Sequence, residues 1–394
     1  MRSRLSPDAA EGRLVLVIGA VVFLDTLFYA VIAPLLPGLV HELRLSKLSA
    51  GLLTASYPIG TLLGSPPGGL LAVRAGPRFT VCAGLALLAC STVAFAVVHT
   101  ASALDVARFV EGVGGACSWA GGIAWIVAET RADRRGAVMG RALGTAIGGA
   151  LFGPVIGTIA TATGRPAAFG AIAVAAVVLL VMTRGLPLHH GPSEQGLGSA
   201  TAALRRPAVV AGMWLITLPA IASGTIGVLG PLRLHTLGAP AAAIGATYLI
   251  ATAVEAAITP VVGSLSDRRG RLAPMRFGLG AAAVALLFFT VPGSVVLFAL
   301  VIVVIIAALG VFWAPAMAML SDAAEAHGLD QGLAAALMNV AWAGGQIIGS
   351  GGGGAAAKLD GDGLPVGIIS GVFLATLVAL VLVRARRGVG EPIG

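Results

Sequence analysis

The chain has 394 residues, of which 57% are hydrophobic and 11% are charged, and its formal net charge is +8. A soluble domain carries about 25% charged residues, so this composition predicts an integral membrane protein. The basic balance does not indicate nucleic-acid binding, because the arginines fall in short clusters between apolar runs. The three cysteines (Cys82, Cys90 and Cys117) lie inside apolar runs, which predicts neither a disulfide framework nor a metal site.

Twelve apolar runs are long enough to span a membrane. The first, residues 14–36, is too long for the apolar part of a cleaved signal peptide, so we expect a retained helix. The others lie at roughly 48–72, 79–98, 103–128, 136–162, 167–183, 208–232, 241–265, 273–291, 294–320, 332–356 and 364–383. The prediction is an all-α membrane protein of twelve transmembrane helices in two pseudo-symmetric six-helix bundles, residues 1–183 and 208–394. A polar stretch containing Gly and Pro, residues 184–207, is the expected cytoplasmic linker.

The distribution of basic residues predicts the orientation. With the N-terminus inside, nineteen of the 25 Lys and Arg residues fall in inner segments, five fall in outer segments, and Arg108 lies within the fourth run. Such a bias is the positive-inside pattern, which places both termini in the cytoplasm. Abundant Arg, Ala and Gly indicate a bacterial chain, so the expected location is the bacterial inner membrane.

The two halves carry an imperfect repeat. Residues 263–271 resemble residues 69–78 at an offset of about 194 residues, close to half the chain. Duplicated halves in a membrane are typical of transporters whose site lies between the halves. A nucleotide-driven pump is excluded, because Lys47 and Lys358 are both followed by Leu, where a phosphate loop needs Ser or Thr. No enzyme motif and no cofactor motif appears, so an ion gradient must drive transport, or transport is passive.

One loop and two apolar runs carry recognisable motifs. The loop after the eighth run contains Gly263, Leu265, Ser266, Asp267, Arg268, Gly270 and Arg271. This pattern resembles the loop signature that the major facilitator superfamily has between the second and third helices of each half. The fourth run is similar to another signature: Leu104, Arg108, Glu111, Gly112, Gly114, Gly115 and Ala116. The fifth run resembles the helix 5 motif of proton-coupled antiporters: Gly144, Gly149, Gly153, Pro154 and Gly157.

Two further segments are informative: Leu24-Asp25-Thr26 with Pro34-Leu35-Leu36-Pro37, and Asn339, Trp342, Gly345 and Gln346 of the eleventh run. They resemble the drug:proton antiporter and amine exporter branch of the same superfamily. Three positions depart from the usual patterns: Val73 stands for an aspartate, Glu111 for a glutamine and Thr158 for a glycine. The resemblance implies the major facilitator fold and a transporter.

Asp25 and Arg108 are the candidates for proton coupling, together with Glu111. Ionisable groups inside spanning helices are costly and therefore point to function. A helical rise of 1.5 Å per residue puts Asp25 about 16 Å and Arg108 about 22 Å from the inner side, roughly one turn apart. The alternative is that Arg108 is satisfied on its own helix by Asp105 and Glu111, three residues away on either side.

The substrate-binding candidates are buried polar and aromatic residues. Glu255 is the buried acid of the second half, with a neutral packing role as its alternative. Asn339, Trp342 and Gln346 share one helix face, which suits either a cavity lining or hydrogen bonds between helices. Tyr29, Trp119 and Trp313 are candidates for aromatic walls, although packing against lipid or neighbours is the commoner fate of such residues.

The gating candidates lie at the inner loops. We expect Asp267 to meet the N-terminal end of the fifth helix, Arg268 or Arg271 to pair with Asp322, and Arg74 or Arg78 to pair with Glu129. The resemblance implies that such contacts close the inner side in the outward-open state. Because Val73 replaces the first-half acid, we expect the second-half lock to dominate.

The predicted activity is proton-coupled export of a small amphipathic or cationic compound by alternating access. Proton-coupled or facilitated uptake of a small metabolite is the alternative within the same class. A membrane enzyme should show clustered catalytic side chains, and a sensor should carry a soluble domain; the sequence has neither feature. The expected partners are the substrate, protons and the lipid bilayer, with the chain as a monomer and no nucleic acid or metal bound.

Overall fold

The computed structural model describes residues 7–130, 135–184, 186, 204–327 and 331–388. The described part is helical throughout. The first half of the chain forms seven helices: α1 (Pro7–Ala30), α2 (Ile32–Leu43), α3 (Lys47–Arg74), α4 (Pro77–Val97), α5 (Ala101–Glu129), α6 (Arg135–Thr163) and α7 (Arg165–Thr183).

The second half forms seven more helices and one π-helical turn: α8 (Pro207–Thr236), α9 (Ala241–Arg269), α10 (Leu272–Leu287), α11 (Val295–Glu325), α12 (Gln331–Ile347), the π turn (Ile348–Gly352), α13 (Gly353–Asp360) and α14 (Gly363–Gly388). Eight helical stretches in the described ranges are long and apolar enough to cross a membrane. The other crossings are α3, α5, the short α10 and the composite of α12, the π turn and α13. With α1 and α2 counted as one, the bundle has the twelve crossings that the sequence predicts.

Contacts between loops define one end of the bundle, which we call the Lys47 end. Lys47 Nζ lies 2.6 Å from Asp362 Oδ1, joining the start of α3 to the α13–α14 loop. Arg165 Nη2, at the start of α7, lies 3.4 Å from Glu42 Oε1. Arg233 donates to the Thr290 carbonyl at 2.6 Å. These contacts bring together the loops that the sequence places outside.

The opposite end, which we call the Arg271 end, collects the other loops. Arg271 forms an ion pair with Asp322 of α11. Arg78 Nη2 donates to the Arg184 carbonyl at 2.8 Å. The two sets of loops therefore lie at opposite ends, as consecutive antiparallel crossings require. The predicted linker, 184–207, falls largely outside the described residues, so the domain boundary stays a prediction.

The first and eleventh membrane crossings are interrupted helices. The first crossing breaks at Val31 between α1 and α2, where Pro34 has no N–H to donate to the preceding turn. The eleventh crossing widens into the π turn, Ile348–Gly352, which overlaps the glycine-rich stretch 349–354.

The two halves of the chain contact each other through a few pairs of helices. Helix α3 packs against α12, the π turn and α13, while α6 packs against α9, and α2 packs against α8 and α9. Lys47–Asp362 is the one ion pair that joins the halves within the described ranges. The described ion pair between the halves therefore lies at the Lys47 end.

Candidate functional site

The centre of the site is the carboxylate of Asp25 on α1. The residue is 0% exposed. Its Oδ2 accepts hydrogen bonds from Tyr57 Oη of α3 and Trp119 Nε1 of α5, both at 3.1 Å. Its Oδ1 is buried and has no hydrogen-bond partner in the described part of the chain. Three helices therefore meet on one carboxylate, and only neutral groups donate to it.

The missing side chain of Gly115 makes room for this carboxylate. A Cβ at position 115 would lie 2.6 Å from Asp25 Oδ1 and 2.8 Å from Tyr57 Oη, closer than real Cβ atoms approach such neighbours. Gly115 of the fourth-run motif thus leaves the space that the Asp25 carboxylate occupies. This gives a physical reason for a small residue at that place in the motif.

Arg108 of α5 is also 0% exposed, and it is neutralised on its own helix. Its Nη1 lies 2.8 Å from Glu111 Oε2 and 3.2 Å from Glu111 Oε1. It donates to the carbonyls of Phe28 and Tyr29, both at 3.2 Å, next to the break between α1 and α2. The residues of the predicted coupling group are therefore together, within one turn of depth.

The contacts of Arg108 correct the simplest form of the predicted coupling group, in which Arg108 pairs directly with Asp25. Among the described hydrogen bonds there is none between Arg108 and Asp25, and Glu111 takes the ion pair, as the alternative interpretation of the sequence proposed. Asp105 does not share in it: its Oδ1 is buried and has no hydrogen-bond partner in the described ranges. The departure from glutamine at position 111 thus places a second carboxylate beside the arginine.

Tyr57 links the two groups, and sequence reasoning missed it. Its hydroxyl donates to Asp25, and its ring centroid lies 5.3 Å from the Arg108 guanidinium carbon, within the range of a cation–π contact. One signal was available in the sequence, because all three tyrosines of the chain, Tyr29 included, lie inside apolar runs.

One residue of the second half reaches this cluster. The Trp342 ring of α12 lies edge-on to Tyr29 and Tyr57, with centroid distances of 5.5 and 6.4 Å. Tyr29 and Tyr57 themselves lie 4.8 Å apart. Predicted wall residues from both halves therefore form one aromatic cluster beside Asp25, together with Trp119.

Among the described contacts, none joins the remaining second-half candidates to that cluster. Gln346 donates from Nε2 to Ser223 Oγ of α8 at 2.9 Å, which is the interhelix hydrogen bond that the sequence left open. Glu255 of α9 packs against Gly310 of α11, and Asn339 and Trp313 are partly buried. The shared helix face of Asn339, Trp342 and Gln346 thus serves two neighbours: Trp342 faces the first half and Gln346 faces α8.

The helix 5 motif fastens α6 to the first crossing. A Cβ at Gly149, Gly153 or Gly157 would overlap the backbone of α1 or α2, so these glycines set the closest approach of the helices. Pro154 and Thr158 face the other way, toward Gly245 of α9. Thr158, where the family motif has a glycine, is therefore a contact between the halves.

The gating candidates are described only in part. Arg271 pairs with Asp322 as expected, whereas Arg78 donates to the Arg184 carbonyl. Arg74 and Arg268 are exposed, and Glu129 is partly buried. The Asp267 side chain lies outside the described part of the chain. No group of three potential metal ligands occurs among the described residues.

A twelve-crossing bundle, with buried ionisable groups in its first half beside an aromatic cluster that Trp342 of the second half joins, defines a multi-pass membrane protein of the transporter type. The family model of the Major Facilitator Superfamily matches residues 18–350 and, in a second match, 213–393. The chain belongs to that superfamily.

Curated relatives match over shorter stretches. The quinolone resistance protein NorA of Staphylococcus aureus is 35% identical over 92 residues, which are 23% of this chain and 24% of NorA. The probable vesicular acetylcholine transporter-B of Danio rerio is 30% identical over 128 residues, 30% of this chain and 26% of that protein. The chain thus matches about a quarter of the length of these relatives.

Solved structures match over nearly the whole chain. The crystal structure of a D-xylose-proton symporter has a TM-score of 0.74 at 18% identity, covering 94% of this chain and 97% of that one. The nucleoside transporter NupG has a TM-score of 0.75 at 14% identity, covering 94% and 99%. At these identities the likeness concerns the fold.

Proposed function

We propose that the protein exports a small amphipathic or cationic compound in exchange for protons, by alternating access, as a monomer. Its membrane is a bacterial inner membrane, with both termini and the Arg271 end on the cytoplasmic side. The similarity to a quinolone resistance protein and to a vesicular acetylcholine transporter supports this direction and substrate class.

The observation that carries the proposal is the unpaired, buried carboxylate of Asp25. An isolated ionised carboxylate is very costly in an apolar site, so Asp25 requires either a proton or a cationic group beside it. Arg108 forms no ion pair with Asp25 among the described contacts, because Glu111 already pairs with Arg108 at 2.8 Å. A proton and a cationic substrate therefore compete for one carboxylate, as proton-coupled antiport requires.

The aromatic cluster suits the same substrate class. The rings of Tyr29, Tyr57 and Trp342 contact one another beside Asp25, and Trp119 donates a hydrogen bond to its carboxylate. Aromatic rings attract organic cations and also cover apolar surface. Trp342 comes from the opposite half, so a ligand held here contacts both halves and can respond to their relative movement.

The experiment is transport in proteoliposomes with an imposed pH gradient and a panel of cationic dyes. Asp25→Asn should reduce gradient-driven dye movement to the level of empty liposomes, while Asp105→Asn, the same change at an acid of α5 outside the cluster, should transport normally. Wild-type accumulation in the Asp25→Asn protein would refute the role of Asp25. Reversing the gradient separates export from the alternative, proton-coupled uptake, in which dye or metabolite moves in the same direction as protons.

A further inference from the structure

A groove of about 550 Å³ lies on α10, away from the Asp25 site. Its lining includes Arg276, Phe277, Gly280, Val284 and Phe288, with Val304 of α11 as the other wall. Phe277 and Phe288 are 69% and 53% exposed, so this side of α10 faces away from the bundle. In a membrane protein such a surface faces the acyl chains.

The shape of the groove follows from the sequence of α10. Gly280, with Ala281 and Ala285, supplies a floor without bulky side chains, and Phe277 and Phe288 stand at its two ends. The segment from Arg276 to Phe288 is about 18 Å long at 1.5 Å per residue, which is comparable to one leaflet of a 30 Å hydrocarbon core.

Arg276 gives one end of the groove a positive charge. It donates from Nη2 to the Leu380 carbonyl at 2.8 Å, and its Nε is buried without a hydrogen-bond partner among the described residues. No acidic side chain pairs with it in the described ranges, whereas the neighbouring Arg271 is neutralised by Asp322. Arg276 lies about 6 Å from the start of α10, near the expected depth of the lipid headgroups at the Arg271 end.

We propose that this groove binds an anionic phospholipid of the leaflet at the Arg271 end, with its phosphate on Arg276 and one acyl chain along α10. An apolar channel one leaflet long with a single uncompensated cation at its headgroup end is complementary to that molecule. Arginine forms charge-assisted hydrogen bonds with phosphate, and a basic residue near an anionic leaflet contributes about 1 kcal/mol, or about five-fold in binding.

The test uses the full-length purified protein and native mass spectrometry. Phosphatidylglycerol and phosphatidylcholine of identical chains are added separately, and the retained lipid adducts are counted. The wild type should retain more phosphatidylglycerol, Arg276→Gln should lose about five-fold of that retention with phosphatidylcholine unchanged, and Arg276→Lys should keep the preference. Equal retention of the two lipids by the wild type, or an unchanged preference in Arg276→Gln, would overturn the site.

A second variant tests the groove without touching the charge. Gly280→Leu should fill the floor and lower retention of both lipids; a Cβ there meets Leu377 at 3.6 Å, an ordinary contact. Gly371→Leu, on the exposed face of α14 with nothing within 4 Å of its Cβ, is the matched control and should bind lipid normally. Equal losses in both variants would contradict the proposal, as would a dimer in the wild type that Gly280→Leu dissociates, because a second copy of the chain would then be the occupant.

Discussion

At the scale of single residues, the Asp25 carboxylate depends on the absence of a side chain at position 115. Replacing Gly115 by Ala should push the carboxylate away from Tyr57, because the new Cβ would lie 2.6 Å from Oδ1. We expect gradient-driven transport to fall at least about tenfold, equivalent to about 1.4 kcal/mol. Transport by Gly115→Ala in proteoliposomes measures this, with Gly144→Ala, where nothing lies within 4 Å, as the control. Equal transport rates in the two variants would show that transport does not depend on the space at position 115.

A second residue-scale prediction concerns the ion pair of Arg108 and Glu111. Both side chains are fully buried, so Glu111→Leu leaves an uncompensated charge and should destabilise the protein by about 3–5 kcal/mol. Glu111→Gln still offers an oxygen to the guanidinium and should cost less. Thermal unfolding of the two purified variants compares them; equally small losses would mean that Arg108 finds another counter-charge.

At the scale of elements, the Lys47 end holds the two halves together by one ion pair and by close backbone packing. The Lys47 and Asp362 side chains are 38% and 14% exposed, and the atoms lie 2.6 Å apart between α3 and the loop before α14. Beside this pair, Gly51 of α3 lies directly against the backbone of Ser350 and Gly354. The charge pair is therefore added to an already tight contact between α3 and the eleventh crossing.

Breaking this ion pair should favour opening at the Lys47 end. Lys47→Glu or Asp362→Lys alone should raise the open population by up to about five-fold, since a partly exposed pair contributes about 0–1 kcal/mol. The double variant should restore the wild-type distribution. Spin-label distances between the Lys47 ends of α3 and α14 measure the open population. Single variants with the wild-type distances would show that this ion pair does not help to close the Lys47 end.

Much of the arrangement of elements could be predicted because it depends on run length and charge alone. The twelve runs, the opposite ends and the similar depth of Asp25 and Arg108, within about one turn, follow from helical rise and apolar length. The contacts of Tyr57 could not be predicted, because they arise where α3 meets α1 and α5, and its place in an apolar run marked only the residue type. Helical periodicity likewise placed Trp342 and Gln346 on one face but did not say that α8 takes Gln346.

At the scale of the whole molecule, transport requires that the halves close at one end while they open at the other. The Lys47 end is joined by an ion pair between the halves, whereas the described ion pair at the Arg271 end, Arg271–Asp322, lies within the second half. A contact that joins the halves at one end is what alternating access requires of a state closed at that end. The Arg271 end is also where the sequence places the repeated loops.

The last prediction concerns those loops and the lock that the sequence assigns to them. Asp267 lies in the final turn of α9, which ends at Arg269. The sequence predicts that its carboxylate meets the positive N-terminal end of the fifth crossing, α6. The first-half loop has Val73, exposed at 55%, where the family places an aspartate, so the two locks are unequal. Asp267→Asn should therefore shift the population toward opening at the Arg271 end by about five- to thirty-fold, or 1–2 kcal/mol. Val73→Asp should shift it the other way. Spin-label distances between the Arg271 ends of α6 and α9 decide it, and an Asp267→Asn protein with the wild-type distribution would exclude the second-half lock.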